Sequence, residues 1–333
     1  MLASFIAKRV LQLIPLIIAI SIICFIIIQL PPGDYLTTYI QQLELSGTEV
    51  SESAIENLKR QYSLDKPGYV QYLTWMKNII TKGDFGRSFQ WNRPVAEVIG
   101  ERIGMTMAIS LATLIFTWIV AIPIGIYSAT HQYSVFDYIF TFIGFIGVAV
   151  PGFLIALIAI YVVFTRTGLS ITGLFSPEFQ GAPWSWAKFM NMLPRIWLPI
   201  LVIGMSSTAG LIRTTRAMLL DELQKQYVIT ARAKGVAERK LLFKYPVRMA
   251  INPMISTIGW TLPGLISGES IVSIVLNLPT TGPILLRALM FQDMYLAGSF
   301  LLITSTLTVI GTLLSDILLA VVDPRIKFGG VAE

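Results

Sequence analysis

The sequence predicts an all-α polytopic membrane protein with six transmembrane helices, and three observations carry that prediction. Hydrophobic residues make up 54% of the 333 and charged residues only 13%, whereas an ordinary soluble domain is about a quarter charged. Uncharged runs long enough to cross a bilayer core, which takes about 20 residues in a helix, recur along the chain. The net charge of +6 is concentrated in one place. Between Arg213 and Arg248 stand nine Lys or Arg against three acids, so this segment alone is +6 and the remainder sums to zero. Such an excess between two spans marks a cytoplasmic loop more often than a nucleic-acid surface. The expected solvent is a lipid bilayer, with no nucleic-acid partner.

The first run, Val10–Leu30, holds 21 uncharged residues behind Lys8 and Arg9. That exceeds the roughly 7–15 residues of a cleavable signal core and reads as a retained span. Further runs are Met105–Ala129, Tyr138–Phe164, Ile196–Ile212, Met249–Gly268 and Met294–Ser315. Six spans put both termini on one side, and the basic flanks at Lys8, Arg9 and the +6 segment select the cytoplasm. A second uncharged run, Ser270–Leu286, follows Glu269. Pro279 and Gly282 in "NLPTTGP" are expected to break a helix there, giving an outside turn and re-entrant approach. Seven spans is the alternative, and it would move the C-terminus outside.

Pro31–Arg102 is expected as an extracytoplasmic helical insertion after the first span, with eight basic and nine acidic side chains. Ser53–Glu56 fits a capping box. Val70, Leu73, Met76 and Ile80 form a helical stripe closing on Gly83. The insertion reads equally as a cap on the membrane domain or a docking surface for a soluble partner. A second outside loop, Thr165–Arg195, carries "PWSWAKFMNML", whose tryptophans suit an interfacial helix.

Counting residues removes several chemistries. The chain has one histidine, His131, and one cysteine, Cys24. This excludes two-histidine metalloprotease motifs, and no internal disulfide can form. No Gly-x-x-x-x-Gly-Lys-Ser/Thr loop occurs to cradle nucleotide phosphates. The chain reads as a non-enzyme without cofactor or metal, which leaves transport or a passive role. Charges at membrane depth are functional candidates by default, and Glu269 and Asp316 qualify as pathway or gate residues. The blander reading, which we favour, puts Glu269 at the interface and Asp316 beside a cation.

Residues 227–246, "YVITARAKGVAERKLLFKYP", form the most informative stretch. Tyr227–Lys234, with Ala231 and Ala233, should make about two helical turns. Gly235 should stop them by taking the left-handed conformation. A second piece from Val236 should run to Tyr245, where Pro246 resets the direction. Basic residues at 239, 240, 244 and 248 suit anionic headgroups. Small side chains on the first piece allow another surface to approach its backbone, as a membrane subunit moved by a cytoplasmic motor would require.

This stretch resembles the "EAA" loop of the membrane subunits of ABC importers, although Ile229 and Thr230 stand where an acid is often found. That departure is usual in the dipeptide/oligopeptide permease branch, which "TARAKG" resembles closely. "PPGD" after the first span, "LDKP", "GDFGRSF", "VP.F" at Val150–Phe153 and "DPRIK" agree in order along nearly the whole chain.

The resemblance implies a type I ABC importer permease in a prokaryotic cell membrane, multi-pass, with cytoplasmic termini. Its implied parts are a first helix within 1–30, an insertion at 31–102 and a transporter core at 95–322. The core's helices fall near 105–129, 138–164, 196–220, 249–270 and 294–322, with a coupling loop at 221–248 and a tail at 323–333. Tyr227, Thr230, Ala231, Arg232, Ala233, Lys234, Gly235, Val236, Ala237 and Glu238 would contact an ATPase, with Pro246 closing the loop. Implied partners are a second permease, most simply a paralogue, two ATPases that bind ATP and Mg, and an extracytoplasmic binding protein. The implied cargo is a di- or oligopeptide, with an oligosaccharide or a nickel complex as alternatives. A self-contained carrier or channel would instead show internal repeats and interrupted spans with polar midplane groups. A membrane scaffold would leave the 227–246 knob unexplained.

Overall fold

The computed structural model describes residues 2–29, 56, 60, 66–88, 90–168, 171–255, 270–291 and 293–322. Helices dominate, because a backbone in hydrocarbon must satisfy its own hydrogen bonds. In order they are α1 (Leu2–Gln29), α2 (Gly68–Lys82), α3 (Val95–Thr130), α4 (Val135–Ala149), α5 (Gly152–Thr167) and α6 (Trp186–Leu223). These are followed by α7 (Gln226–Ala233), α8 (Glu238–Lys244), a helical stretch at 246–255, α9 (Ser270–Val275), α10 (Thr281–Met290) and α11 (Met294–Val322). A short antiparallel hairpin, β1 (Arg87–Ser88) with β2 (Arg93–Pro94), precedes α3.

Among the described residues, four helices are long and apolar enough to cross a membrane: α1, α3, α6 and α11. The run 138–164, expected as one span, is two helices, α4 and α5, bent by 104° at their junction. Pro151 causes the break. It has no N–H to continue the ladder, and it drives Val150 to an extended conformation (φ −95°, ψ 124°). Counted as one broken span, the pair brings the total to five. The expected fifth run, Met249–Gly268, lies outside the described residues beyond 255, as do the Ser53–Ile55 part of the capping box, Glu269 and the "DPRIK" tail.

Two other expectations change. The tryptophan-rich segment before Ile196 is no separate interfacial helix: Trp186 opens a 38-residue helix that continues to Leu223 through Pro194 and Pro199. Ser185 caps it, accepting the Lys188 N–H. The break expected at "NLPTTGP" does fall between Val275 and Thr281, with Pro279 inside it, but Gly282 is not part of it, because it sits in the first turn of α10. A Cβ there would lie 2.7 Å from Ser270 Cα, so glycine serves close approach of α9 and α10. Between them the chain passes through Asn277 at φ +51°.

Two units make up the fold: Met1–Val10 with Met105–Gly282 and Thr308–Glu333, and Leu11–Gly104 with Pro283–Leu307. In the second, Cys24, Phe25, Trp75, Val95, Leu296 and Phe300 build an apolar core. Buried Asp293 caps α11 there. It accepts Ser88 Oγ–H at 2.5 Å and the Leu296 N–H at 3.3 Å, pinning the hairpin to the helix start. In the first unit, α3, α5, α6 and α9 pack around Ile109, Ala156, Val202 and Leu276. Buried hydroxyls join the apolar contacts: Thr106 Oγ accepts the Thr281 N–H at 3.0 Å, and Thr208 donates to Thr117 at 3.3 Å. Short polar side chains of this kind hold helices together in lipid.

Candidate functional site

The knob begins where the long α6 ends. Gln224 is the last αR residue, and Lys225 turns extended (φ −70°, ψ 145°) to start α7. Tyr227 Oη donates to the Glu222 carboxylate, tying the first turn of α7 to the last turn of α6. Burial first, and then that carboxylate, push the Tyr227 hydroxyl pKa well up. Val228, 0% exposed, is the residue α7 buries. Ile229, Thr230, Arg232, Ala233 and Lys234 face outward, with Ile229 at 47%.

Gly235 closes α7 at φ +73°. Its N–H donates to Arg232 O at 3.0 Å, and the Val236 N–H donates to Ala231 O at 3.3 Å. That pair of bonds is the Schellman closure, which wants glycine at the left-handed position. The chain then turns through Val236 and Ala237 into α8. Glu238 stands in the first turn of α8, where a helix dipole favours an acid. It also takes Arg232 in a two-pronged pair, 2.5 Å from Nε and 3.2 Å from the terminal nitrogen. The guanidinium's hydrogen bonds hold the Glu238 carboxyl below its usual range. Leu241 is fully buried beneath α8. After Tyr245, Pro246 begins the helical stretch 246–255, at the position that needs no N–H partner. The structure thus brings Tyr227 through Glu238 into one glycine-closed projection, with Pro246 at its exit.

The stem of the knob is anchored by an ion pair that sequence reasoning missed. Arg216, on α6, donates to Asp137 Oδ2 at 3.2 Å. The same carboxylate oxygen accepts the Tyr133 N–H at 3.0 Å, while Ser134 Oγ caps α4 through the Asp137 N–H. Asp137 is 3% exposed, so this pair clamps the start of α4 to the stem of α6. The Ser134-x-x-Asp137 spacing signals the cap but not the partner 79 residues away.

Asp316 is not grouped with the knob; its carboxylate lies 3.4 Å from Arg9 Nε. Glu269 lies outside the described residues. Among the described residues, no group of three or more His, Cys, Asp and Glu is arranged to hold a metal ion.

The model of the binding-protein-dependent transport system inner membrane component family matches residues 121–328, and its N-terminal companion matches residues 1–112. The chain is similar to the oligopeptide transport system permease protein AppB of Bacillus subtilis, with 34% identity over 331 residues, covering 98% of this chain and 100% of the relative. It is also similar to the dipeptide transport system permease protein DppB of Alkalihalophilus pseudofirmus, 30% identical over 337 residues, covering 96% and 98% of the two chains. In this family the permease is a multi-pass membrane component, and ATP hydrolysis belongs to separate subunits. The chain therefore belongs to the inner-membrane permeases of binding-protein-dependent ABC importers, and it is not itself an enzyme.

Proposed function

We propose that this chain forms half of the translocation pathway of an ATP-driven peptide importer and that α7 is its coupling helix. The observation that carries the reading is the exposed, glycine-closed projection at the end of the 38-residue α6. A rigid stem and a small-residue tip suit transmission of a push from a motor to a span. Tyr227, Thr230, Ala231, Arg232, Ala233, Lys234, Gly235, Val236, Ala237 and Glu238 seat in a cleft of the ATPase, and Pro246 returns the chain to the membrane. ATP and Mg stay on the ATPase, with no cofactor on this chain. Six spans place both termini in the cytoplasm of a prokaryotic cell, with the fifth span across 249–268. The 31–102 segment then lies outside, toward the solute-binding protein, and a second permease, most simply a paralogue, completes the pathway. The relatives' names, oligopeptide and dipeptide transport, support a di- or oligopeptide as cargo.

The chain suits a direct test, because its one cysteine, Cys24, is buried. Ala233→Cys adds one exposed thiol at the tip of α7. Carrying a photoactivatable maleimide in the assembled transporter, it should cross-link to the ATPase. Cross-linking to the extracytoplasmic binding protein instead would reverse the orientation and sink the assignment.

A further inference from the structure

The projection has a second face that the coupling role does not use. From Val236 to Gly268 the only acid is Glu238, and Arg232 already holds it. Arg239, Lys240, Lys244 and Arg248 are all exposed in this interval. Lys240 and Lys244 are four residues apart on α8, which places them along one side of it, and Arg248 follows on the next helical stretch. Among them, Phe243 is 55% exposed and Met249 44% exposed.

The opposite side of the same element is packed. Leu242, Val247, Ala250 and Ile251 cluster with Ile126 and Ala129 at the end of α3 and with Leu219, Leu220 and Leu223 at the end of α6. Both α3 and α6 are long enough to cross a membrane. The basic face therefore stands on the outer side of an element that packs against the ends of two helices long and apolar enough to cross a membrane, close to where those helices leave the bilayer in our reading.

We infer that α8 and the start of the 246–255 stretch form a binding face for anionic phospholipid headgroups, with Arg239, Lys240, Lys244 and Arg248 on the phosphates and Phe243 inserted among the acyl chains. Cations around a protruding aromatic ring match how interfacial helices sit on anionic bilayers. A protein cleft is the poorer fit, since the small side chains that permit close backbone approach are on α7, whereas α8 presents long basic ones. The face steadies the base of the projection on the membrane, and it does so whichever way the termini point.

The test is native mass spectrometry of the full-length chain in mild detergent, titrated with phosphatidylglycerol or phosphatidylcholine. The wild type should take up phosphatidylglycerol in preference. Each charge removed should raise the half-saturating phosphatidylglycerol concentration about fivefold, the fold-change that corresponds to about 1 kcal/mol per basic residue at an anionic surface. R239Q/K240Q/K244Q/R248Q should lose the preference, whereas R239K/R248K should keep it, as should K66Q/K77Q/K82Q, which removes charge elsewhere. If the fourfold variant does not purify, K240Q/K244Q alone should shift the midpoint about 25-fold by the same reasoning. An unchanged midpoint in either glutamine variant would overturn the inference, pointing to a protein partner for this face. Equal loss in K66Q/K77Q/K82Q would overturn it too, as non-specific charge attraction.

Discussion

Replacing Gly235 probes the projection at the point where its shape depends on one residue. The backbone there has φ +73°, and a Cβ built on it meets no atom within 4 Å. Crowding is therefore absent, and the whole penalty is conformational. An L-residue in the left-handed region costs roughly 1–2 kcal/mol, with a β-branched side chain at or beyond the upper end. Asparagine tolerates the region best among non-glycine residues. The predicted order of function is thus Gly, Asn, Ala, Val. A penalty of 1–2 kcal/mol lowers the ratio of closed to open turn by a factor of about 5–30, and it does so locally, because a Cβ added at 235 meets no neighbouring atom. Gly235→Val should therefore insert and purify like the wild type while ATP-driven uptake in proteoliposomes falls several-fold. ATP hydrolysis by the assembled ATPases should fall less, giving a lower transport-to-hydrolysis ratio. Wild-type uptake by Gly235→Val would refute the argument. So would Gly235→Asn and Gly235→Val failing equally, because strain at positive φ ranks them apart.

Two further outcomes follow from the same structure. D137N leaves Arg216 facing a neutral partner in a nearly closed site; with Arg216 still 31% exposed, the loss should be about 2 kcal/mol, below the 3–5 kcal/mol of a fully buried pair. Thermal unfolding in detergent measures it, and D137N/R216Q should recover part of the loss. The Arg232–Glu238 pair sets a pH window. The Glu238 carboxyl is depressed in the folded chain, so its contribution is present above the unfolded carboxyl pKa of about 4.3 and is lost as pH falls through the folded value. The unfolding difference between wild type and E238Q should accordingly be constant from neutral pH to about 5 and vanish on further acidification. A difference that instead appears only on acidification would contradict the pairing.

What could be read from the sequence was local. Ala231, Ala233, Gly235 and Pro246 lie within twenty residues, and helix, turn and restart each follow from a nearest-neighbour preference. The 104° break inside 138–164 was invisible to hydropathy, because the residues on both sides of Pro151 are equally apolar. Pro151 separates the two helices together with Val150, which stands extended before it. The tryptophans of "PWSWAKFMNML" suit an interfacial helix, yet from Trp186 onward the segment belongs to α6, because nothing in it stops a helix and Pro194 and Pro199 are accommodated. Pairings at long range had no signal. Asp137 meets Arg216 across 79 residues and Ser88 meets Asp293 across 205; composition states that such groups exist, and only folding states which ones meet.

On the function proposed above, this chain is a passive half-channel driven through α7 by a separate motor. The most direct test is reconstitution of the chain with its companion permease, ATPases and binding protein in proteoliposomes, followed by uptake of a labelled peptide. Uptake should need ATP, need the ATPases and fall several-fold in Gly235→Val. Uptake by this chain alone, driven by an ion gradient without ATP, would contradict it.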